Sequence, residues 1–155
     1  MSNRLLNPSS KKVLFPLVIA AYTGKAAYNV KGLTLHGLFH LPAKGKLTGI
    51  SEAILFRCQK TFQHTFLIII DEISLVGSNC FDRIMKRVCQ IKGVSINHLK
   101  VSFLVVGDFR QLPPVKDRWI FEAPTSNQYA DIIGNVYWQK FRCNILVFLS
   151  KLNNK

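Results

Sequence analysis

Three of the eight carboxylates in this 155-residue sequence directly follow two apolar runs. The run FLIII ends at Asp71-Glu72, and the run VSFLVV ends at Gly107-Asp108. In open sheets of parallel strands, ligands bind outside the carboxyl ends of the strands, which is where these acids would lie. A single acid after a strand is most often an ordinary polar residue, but two such endings favour a functional site.

The adjacent pair at positions 71 and 72 suits metal-assisted hydrolysis of a phosphate bond. Mg²⁺ prefers oxygen ligands and keeps several waters, so one carboxylate at the end of a strand can hold it beside a nucleotide's phosphates. The neighbouring carboxylate can then orient and deprotonate the attacking water. We therefore expect Asp71 to be the metal residue and Glu72 the general base.

The elements that must position these acids follow from hydrophobic patterning. Apolar runs without alternation predict buried strands at 13–21, 66–70, 101–106 and 145–149. Helices are predicted over 25–30, over 51–61 with Ser51 as N-cap, and after an N-cap at Asn79, and 36–42 is predicted to be a loop. The third helix should end before Gly93. It carries an apolar stripe that consists of Phe81, Ile84, Met85 and Val88. Its basic residues should face away from that stripe, and they are Arg83, Lys86 and Arg87. Strands separated by helices predict an α/β domain with a mostly parallel sheet.

The charge of the chain points to a polyanionic partner. Lys and Arg total 21 against 8 Asp and Glu, which gives a net charge of +13, so nucleic acid is a more plausible partner than a cationic or neutral one. Hydrophobic residues make up 48%, which is typical of a chain that forms a core. No apolar run reaches the ~20 residues that cross a bilayer, and no secretory signal opens the chain, so we expect an intracellular protein with no membrane partner.

The cysteines and histidines do not predict a metal centre. Cys58, Cys80, Cys89 and Cys143 form no C-x-x-C pair, lie among apolar residues and share no ligand spacing with the four histidines. We expect reduced, buried thiols and no zinc site.

Three longer segments of the sequence carry motifs that can be compared with those of known proteins. AAYTGKAAYNVKGLTLHGLFHLP at 20–42, LIIIDEISLVG at 67–77 and VVGDFRQLPPV at 105–115 resemble motifs Ia, II and III of the petite integration frequency (Pif) family. These are ATP-dependent DNA helicases of superfamily one that move 5′ to 3′, and the group includes the helicase domains of Helitron transposons. The resemblance covers about 13–149, and three motifs in the right order and spacing make a chance match very unlikely.

The resemblance implies a RecA-like P-loop NTPase fold and a role for each matched residue. Asp71 and Glu72 become the Walker B pair, with Mg²⁺ and ATP as cofactors. Gln111 becomes the motif III glutamine that senses the γ-phosphate, and Asp108 helps to shape its loop. Motif Ia contacts single-stranded DNA in such helicases, which implies DNA contacts for Thr23, Gly24, His36 and Phe39, although a buried role for the Phe39 ring is equally expected. Partners would be single-stranded DNA and duplex junctions, in repair, recombination, telomere maintenance or transposition, in the nucleus or alternatively the mitochondrion.

The sequence departs from the family at both ends. It contains no G-x-x-x-x-G-K-[ST], and the TGKA run matches motif Ia, so Lys25 is not taken as the ATP lysine. The motif IV arginine and the second motor domain have no counterpart either. We therefore expect a partial first motor domain over 13–150, between a flexible segment at 1–12 and a tail at 151–155. Without the phosphate-loop strand, the 101–106 strand should have an unpaired apolar edge.

Two functions follow from these departures. In the first, the chain is part of an ATP-dependent DNA helicase, and this fragment by itself is inactive and less soluble than its charge suggests. The alternative is a catalytically dead nucleic-acid-binding relic of a transposon-derived helicase. A different nucleotide-binding α/β protein is a third and weaker interpretation, which the GDFRQLPP run makes improbable.

Overall fold

The computed structural model describes residues 16–43, 45–125 and 134–142. Their strands are β1 (Leu17–Ala21), β2 (Leu33–Thr34), β3 (Leu67–Asp71) and β4 (Ser102–Val105). The α-helices are α1 (Gly24–Asn29), α2 (Leu35–Leu38), α3 (Glu52–Phe62) and α4 (Ser78–Lys92), and short 3-10 turns lie at Ile73–Leu75, Ile96–His98 and Trp138–Lys140. The predicted strand at 145–149 and Cys143 lie outside the described residues.

The four strands form one sheet in the order β2-β1-β3-β4, and all its pairings are parallel. Ala21 of β1 lies opposite Asp71 of β3, and Ile70 of β3 lies opposite Val105 of β4. This confirms the α/β class with a parallel sheet. Among the described residues β4 lies at one edge of the sheet, and Leu104 is 49% exposed there.

One face of the sheet carries the core. Ile68 and Ile70 of β3 are fully buried, and α4 packs its apolar stripe onto the same cluster. All four predicted stripe residues are buried, and each contributes about 1.5–3 kcal/mol to folding. The helix ends as predicted, since Gly93 adopts the left-handed conformation (φ +66°) that terminates helices at low cost. Ser51 also caps α3 as predicted, because its side chain accepts a hydrogen bond from the Ile54 amide at 3.4 Å.

Three predictions about local structure were wrong. The N-cap of α4 is Gly77 and not Asn79, for a tertiary reason given below. The expected loop at 36–42 is partly helical, because Thr34 caps α2 by accepting a hydrogen bond from the Gly37 amide. Arg87 does not face away from the core but is completely buried.

Arg87 is buried because backbone carbonyls surround its guanidinium. It donates to the carbonyls of Phe39 (3.0 Å), His40 (3.3 Å) and Thr48 (2.8 Å) and to Gln90 Oε1 (2.6 Å). The five donors of a guanidinium can satisfy several carbonyls that no helix or strand satisfies. Arg87 therefore fixes the segment after α2 to α4.

The structure also describes the cysteines, possible metal-binding groups and possible membrane-spanning helices. Cys58 and Cys80 are buried free thiols, and Cys89 is a partly buried one. No group of three His, Cys, Asp or Glu residues in the described part of the chain is arranged to hold a metal ion. No helix in the same residues has the length and apolar character to cross a bilayer.

Candidate functional site

The turns after β3 and β4 are held together at the carboxyl edge of the sheet. The Val106 amide donates to the Ile70 carbonyl at 2.9 Å, and the Ile73 amide donates to the Val106 carbonyl at 2.9 Å. A Cβ at Gly107 would lie 2.8 Å from the Ile73 nitrogen, so only glycine permits this approach without a shift. The two turns that carry the predicted acids are therefore neighbours, as the parallel arrangement predicted.

Asp71 ends β3 with a partly buried carboxylate. Within the described residues, this carboxylate accepts no hydrogen bond from the protein. Its oxygens are therefore available to a cation or water at the edge of the sheet. This donor chemistry fits a single-carboxylate Mg²⁺ site, in which the other ligands are waters and phosphate oxygens.

Glu72 follows in an unusual backbone conformation. Its φ of 53° and ψ of 48° lie in the left-handed region, which costs a non-glycine residue on the order of 1 kcal/mol or more. This conformation starts the turn at Ile73–Leu75 and reverses the chain after β3. The partly buried Glu72 side chain accepts a hydrogen bond from the Thr23 hydroxyl, with 3.1 Å between Oγ1 and Oε2.

Thr23 also organises the start of α1. Its Oγ1 accepts a hydrogen bond from the Ala26 amide at 3.2 Å, so Thr23 is the N-cap of that helix. The register that pairs Ala21 with Asp71 brings the residues after β1 beside those after β3. The sequence placed Thr23 in a DNA-contacting segment and did not predict that it touches Glu72.

The loop after β4 is shaped by Asp108. Its Oδ1 accepts from the Arg110 amide at 2.9 Å and from Arg110 Nε at 3.3 Å, and its carbonyl accepts from the Gln111 amide at 3.0 Å. The hydrogen bond from the Arg110 amide is the main reason that the pKa of Asp108 lies below its usual value. Gln111 is exposed on this turn, so its side-chain amide is open to a ligand.

Asp117 is a residue that the sequence analysis missed. One of its oxygens accepts from the Asn79 amide (3.2 Å) and from Asn79 Nδ2 (2.7 Å), and the other accepts from the Cys80 amide (3.1 Å). A carboxylate 37 residues beyond Cys80 in the sequence thus supplies the N-terminal cap of α4 that Asn79 was expected to supply. It also anchors the far end of the Gln111 loop, and no local sequence signal predicts such a contact.

The other motif Ia residues divide into surface and core. Gly24 is exposed at the start of α1, and His36 is partly buried with its ring edge-on to Tyr22, at 5.6 Å between centroids. Burial, and then the charge of Arg83, lowers the pKa of His36, so its imidazole is neutral at pH 7.

For Phe39 the sequence left a DNA contact and a buried role equally open, and the structure shows the buried one. Its ring is completely buried, with its centroid 5.9 Å from that of Phe62. A ring that stacks on a base must be accessible, and burying an aromatic side chain here stabilises the fold instead. Phe39 is a core residue of the motif Ia segment.

A family model described as PIF1-like helicase matches residues 4–152. The chain belongs to this family. The sheet, with the two acid-bearing turns at its carboxyl edge, is thus the PIF1-like version of the RecA-like fold. The sequence resemblance is confirmed.

Individual relatives agree with the family assignment. The ATP-dependent DNA helicase Pif1 of Campylobacter jejuni is 34% identical over 131 residues, which are 74% of this chain and 26% of that protein. The human ATP-dependent DNA helicase PIF1 is 30% identical over 108 residues, which are 63% of this chain and 16% of that protein. The PIF1-like chain therefore spans about a quarter or less of the length of these relatives.

Solved structures of Pif1 helicases share the fold. Bacteroides Pif1 bound to single-stranded DNA matches with a TM-score of 0.52 and 32% identity over 65% of this chain and 24% of that one. Bacteroides Pif1 in complex with ADP-AlF3 and single-stranded DNA matches with a TM-score of 0.53 and 29% identity over 70% of this chain and 25% of that one.

Proposed function

We propose that the chain supplies the motif Ia, II and III portion of an ATP-dependent DNA helicase, within its first motor domain. In that protein ATP hydrolysis would drive movement along single-stranded DNA and separation of the duplex. The observation that carries this proposal is the junction of the Asp71-Glu72 turn with the Gln111 loop through the hydrogen bond from Ile73 to Val106. The junction supports the proposal because it brings Asp71, Glu72 and the loop of Gln111 to one edge of the sheet, where nucleotide hydrolysis would need an acid to hold the metal, a base and an amide.

Each side chain has a distinct task in this proposal. Asp71 would hold Mg²⁺ beside the phosphates of ATP, where the bound metal neutralises developing negative charge. Glu72 would accept the hydrogen bond and then the proton of the attacking water. Gln111 would report on the γ-phosphate, because an amide can donate to phosphate oxygen and also accept from water. Asp108 would set the position of Gln111 through the loop that it closes.

The DNA-binding part of the proposal concerns the surface of motif Ia and the charge of the chain. Gly24 is exposed and Thr23 is partly exposed at the start of α1, and the partly buried His36 lies in the same motif. The net charge of +13 favours a polyanion. Relatives solved with single-stranded DNA and at forked double-stranded DNA support single strands and duplex junctions as partners. A nuclear role in DNA repair, recombination, telomere maintenance or transposition would fit these partners.

By itself, the 155-residue chain should not hydrolyse ATP. Its sequence holds no G-x-x-x-x-G-K-[ST], so it lacks the lysine and backbone amides that hold the β- and γ-phosphates. Leu104 and Val106 are each 49% exposed beside the edge of the sheet, which favours association and lowers solubility. The lack of a phosphate-binding loop in this sequence also favours a second candidate function, a nucleic-acid-binding relic that keeps the basic charge and has no catalytic activity.

The first experiment measures binding and hydrolysis by the same purified chain. We expect fluorescence anisotropy to show binding to a labelled oligothymidylate that weakens steeply with salt, because phosphate contacts release counterions. We expect ATP to be hydrolysed no faster with the wild-type chain or with Glu72→Gln than in buffer without protein. Hydrolysis that Glu72→Gln abolishes would show that this chain is a complete ATPase, and failure to bind at low salt would remove the DNA-binding proposal.

The second experiment separates the helicase from the relic. The 5′ end of the native transcript is sequenced, and the reading frame upstream of Met1 is searched for G-x-x-x-x-G-K-[ST]. If the motif is present, the longer protein is assayed, and Asp71→Asn, Glu72→Gln and Gln111→Ala should each abolish DNA-stimulated hydrolysis. If the transcript begins at Met1, the relic becomes the better proposal.

A further inference from the structure

The hydrogen bond between Thr23 and Glu72 joins two parts of the site that the motifs assign to different tasks. Thr23 belongs to the segment proposed to contact the nucleic acid, and Glu72 is the proposed base. Their side chains meet with 3.1 Å between oxygens, 49 residues apart in sequence. We infer that Thr23 is a positioning residue. Its hydroxyl holds the Glu72 carboxylate by a hydrogen bond, and it donates to single-stranded nucleic acid instead when a strand is bound.

The inference depends on the hydrogen-bonding capacity of one hydroxyl. A threonine hydroxyl has one proton to donate and two lone pairs that accept. One lone pair of Thr23 already accepts from the Ala26 amide at 3.2 Å, which fixes the side chain at the start of α1. Its single proton goes to Glu72, since a carboxylate oxygen can only accept.

The hydrogen bond from Thr23 acts on a residue whose backbone is already fixed. The backbone of Glu72 is fixed in the left-handed region by the turn that follows β3. Its neighbour Ile73 is held to the Val106 carbonyl at 2.9 Å. With its backbone so constrained, Glu72 keeps freedom only in its side chain. Within the described residues, Thr23 is the group that donates to that carboxylate.

A phosphate oxygen of a bound strand competes for the same proton. Both a phosphate oxygen and the Glu72 carboxylate are acceptors, so the Thr23 hydroxyl cannot donate fully to both. When the strand is bound, the carboxylate loses its donor and becomes free to accept from a water. The proposed DNA contact and the proposed base are thereby linked through one side chain. This inference rests on the proposed function, because it requires that nucleic acid reach Thr23.

The test observes Glu72 directly and needs no catalysis. The sequence has only three glutamates, at positions 52, 72 and 122, so glutamate labelled with ¹³C at the carboxyl carbon gives three resonances. Glu72→Gln identifies the resonance of interest. Spectra of the wild-type chain, Thr23→Val and Thr23→Ser are recorded without and with a saturating oligothymidylate, and anisotropy measures binding in the same samples.

Thr34→Val is the matched control for the loss of a helix cap. Thr34 caps α2 through the Gly37 amide at 3.2 Å, the same distance as in the cap at Thr23, and it has no bond to Glu72. Valine at either position removes a cap, but only at 23 does it remove the donor to the carboxylate.

We expect the oligonucleotide to shift the Glu72 resonance of the wild-type chain and of Thr23→Ser. In Thr23→Val the resonance should already be shifted without the oligonucleotide and should not respond to it, whereas Thr34→Val should behave like the wild type. An unshifted resonance in Thr23→Val, or an equal shift in Thr34→Val, would overturn the inference.

The remaining outcomes separate the inference from the proposed function. If anisotropy shows binding while the wild-type Glu72 resonance stays in place, the link through Thr23 is wrong and the DNA-binding proposal stands. If anisotropy shows no binding, both fall together.

Discussion

Replacing Arg87 by methionine tests the most unexpected packing in the molecule. Methionine keeps the length and helix propensity of the side chain but removes every donor. The Phe39 carbonyl is buried, so losing its partner costs the full penalty of about 1–3 kcal/mol for an unsatisfied buried group. The carbonyls of His40 and Thr48 are only partly buried and can recover part of their hydrogen bonding from water. Together these losses predict a decrease of about 3–5 kcal/mol in the free energy of unfolding.

Lys86→Met is the control, since it changes the neighbouring residue of the same helix. The Lys86 side chain is 51% exposed and pairs with Asp82 at 2.7 Å one turn earlier. Only the Lys86 end of this pair is exposed, because the Asp82 side chain is 10% exposed, so losing the pair should cost about 1 kcal/mol. Urea unfolding followed by circular dichroism at 222 nm gives both free energies.

The structure therefore predicts a difference of several kcal/mol between two adjacent substitutions. The sequence pattern, which placed both side chains away from the apolar stripe, predicts almost none. A loss for Arg87→Met within about 0.5 kcal/mol of that for Lys86→Met would refute the buried position. If Arg87→Met does not fold, Arg87→Lys retains a charge and some donors, and it should unfold between the wild type and the methionine variant.

Four further predictions concern Asp117, Gly107 and Cys80, which lie around the site. Asp117→Ala removes the distant cap of α4 and should lower the free energy of unfolding by about 2–3 kcal/mol, with Asp117→Asn losing less; equal stability of all three chains in urea would contradict the cap. Gly107→Ala places a Cβ 2.8 Å from the Ile73 nitrogen and should cost about 1–3 kcal/mol by the same assay, whereas an unchanged value would show that the two turns are not in contact. Burial raises the pKa of Cys80 from 9.0 to about 11, so its thiol should react with iodoacetamide at pH 8 much more slowly than the partly buried Cys89, and labelling in the reverse order would be inconsistent with the structure. Because the folded pKa of Cys80 exceeds the unfolded one, its contribution to stability is complete below pH 9 and is lost as the pH rises through 11, so the stability difference between the wild type and Cys80→Ala should change by about 2–3 kcal/mol over that range.

Much of the fold was legible in the sequence because its signals are local. Runs without alternation marked β3 and β4 to within a residue or two, because such runs are typical of strands in parallel sheets, although β4 is not covered on both faces. The Ser51 cap and the Gly93 terminus depend on residues within the same turn of helix. The apolar stripe of α4 follows from the 3.6-residue period.

The errors at Asn79 and Arg87 share a physical cause, which is a contact from far along the chain, whereas the helix within 36–42 follows from the local cap at Thr34. Asn79 has the side chain of an N-cap, but Asp117 supplies the cap and the helix begins earlier. Arg87 is polar, but carbonyls that lack partners after α2 draw its guanidinium into the core. For Phe39, where the sequence left a core position and a DNA contact equally open, the structure shows the ring in that core.

In the candidate site, too, some features follow from the sequence and others are known only from the structure. Sequence by itself determined the family, the identity of Asp71, Glu72 and Gln111 as the residues to examine, and the edge of the sheet where they lie, because motif spacing and strand endings are properties of short segments. Only the tertiary structure decided that Thr23 donates to Glu72 and that Asp117 anchors the loop of Gln111. Both depend on which side chains long-range folding brings within hydrogen-bonding distance, and no periodicity encodes that.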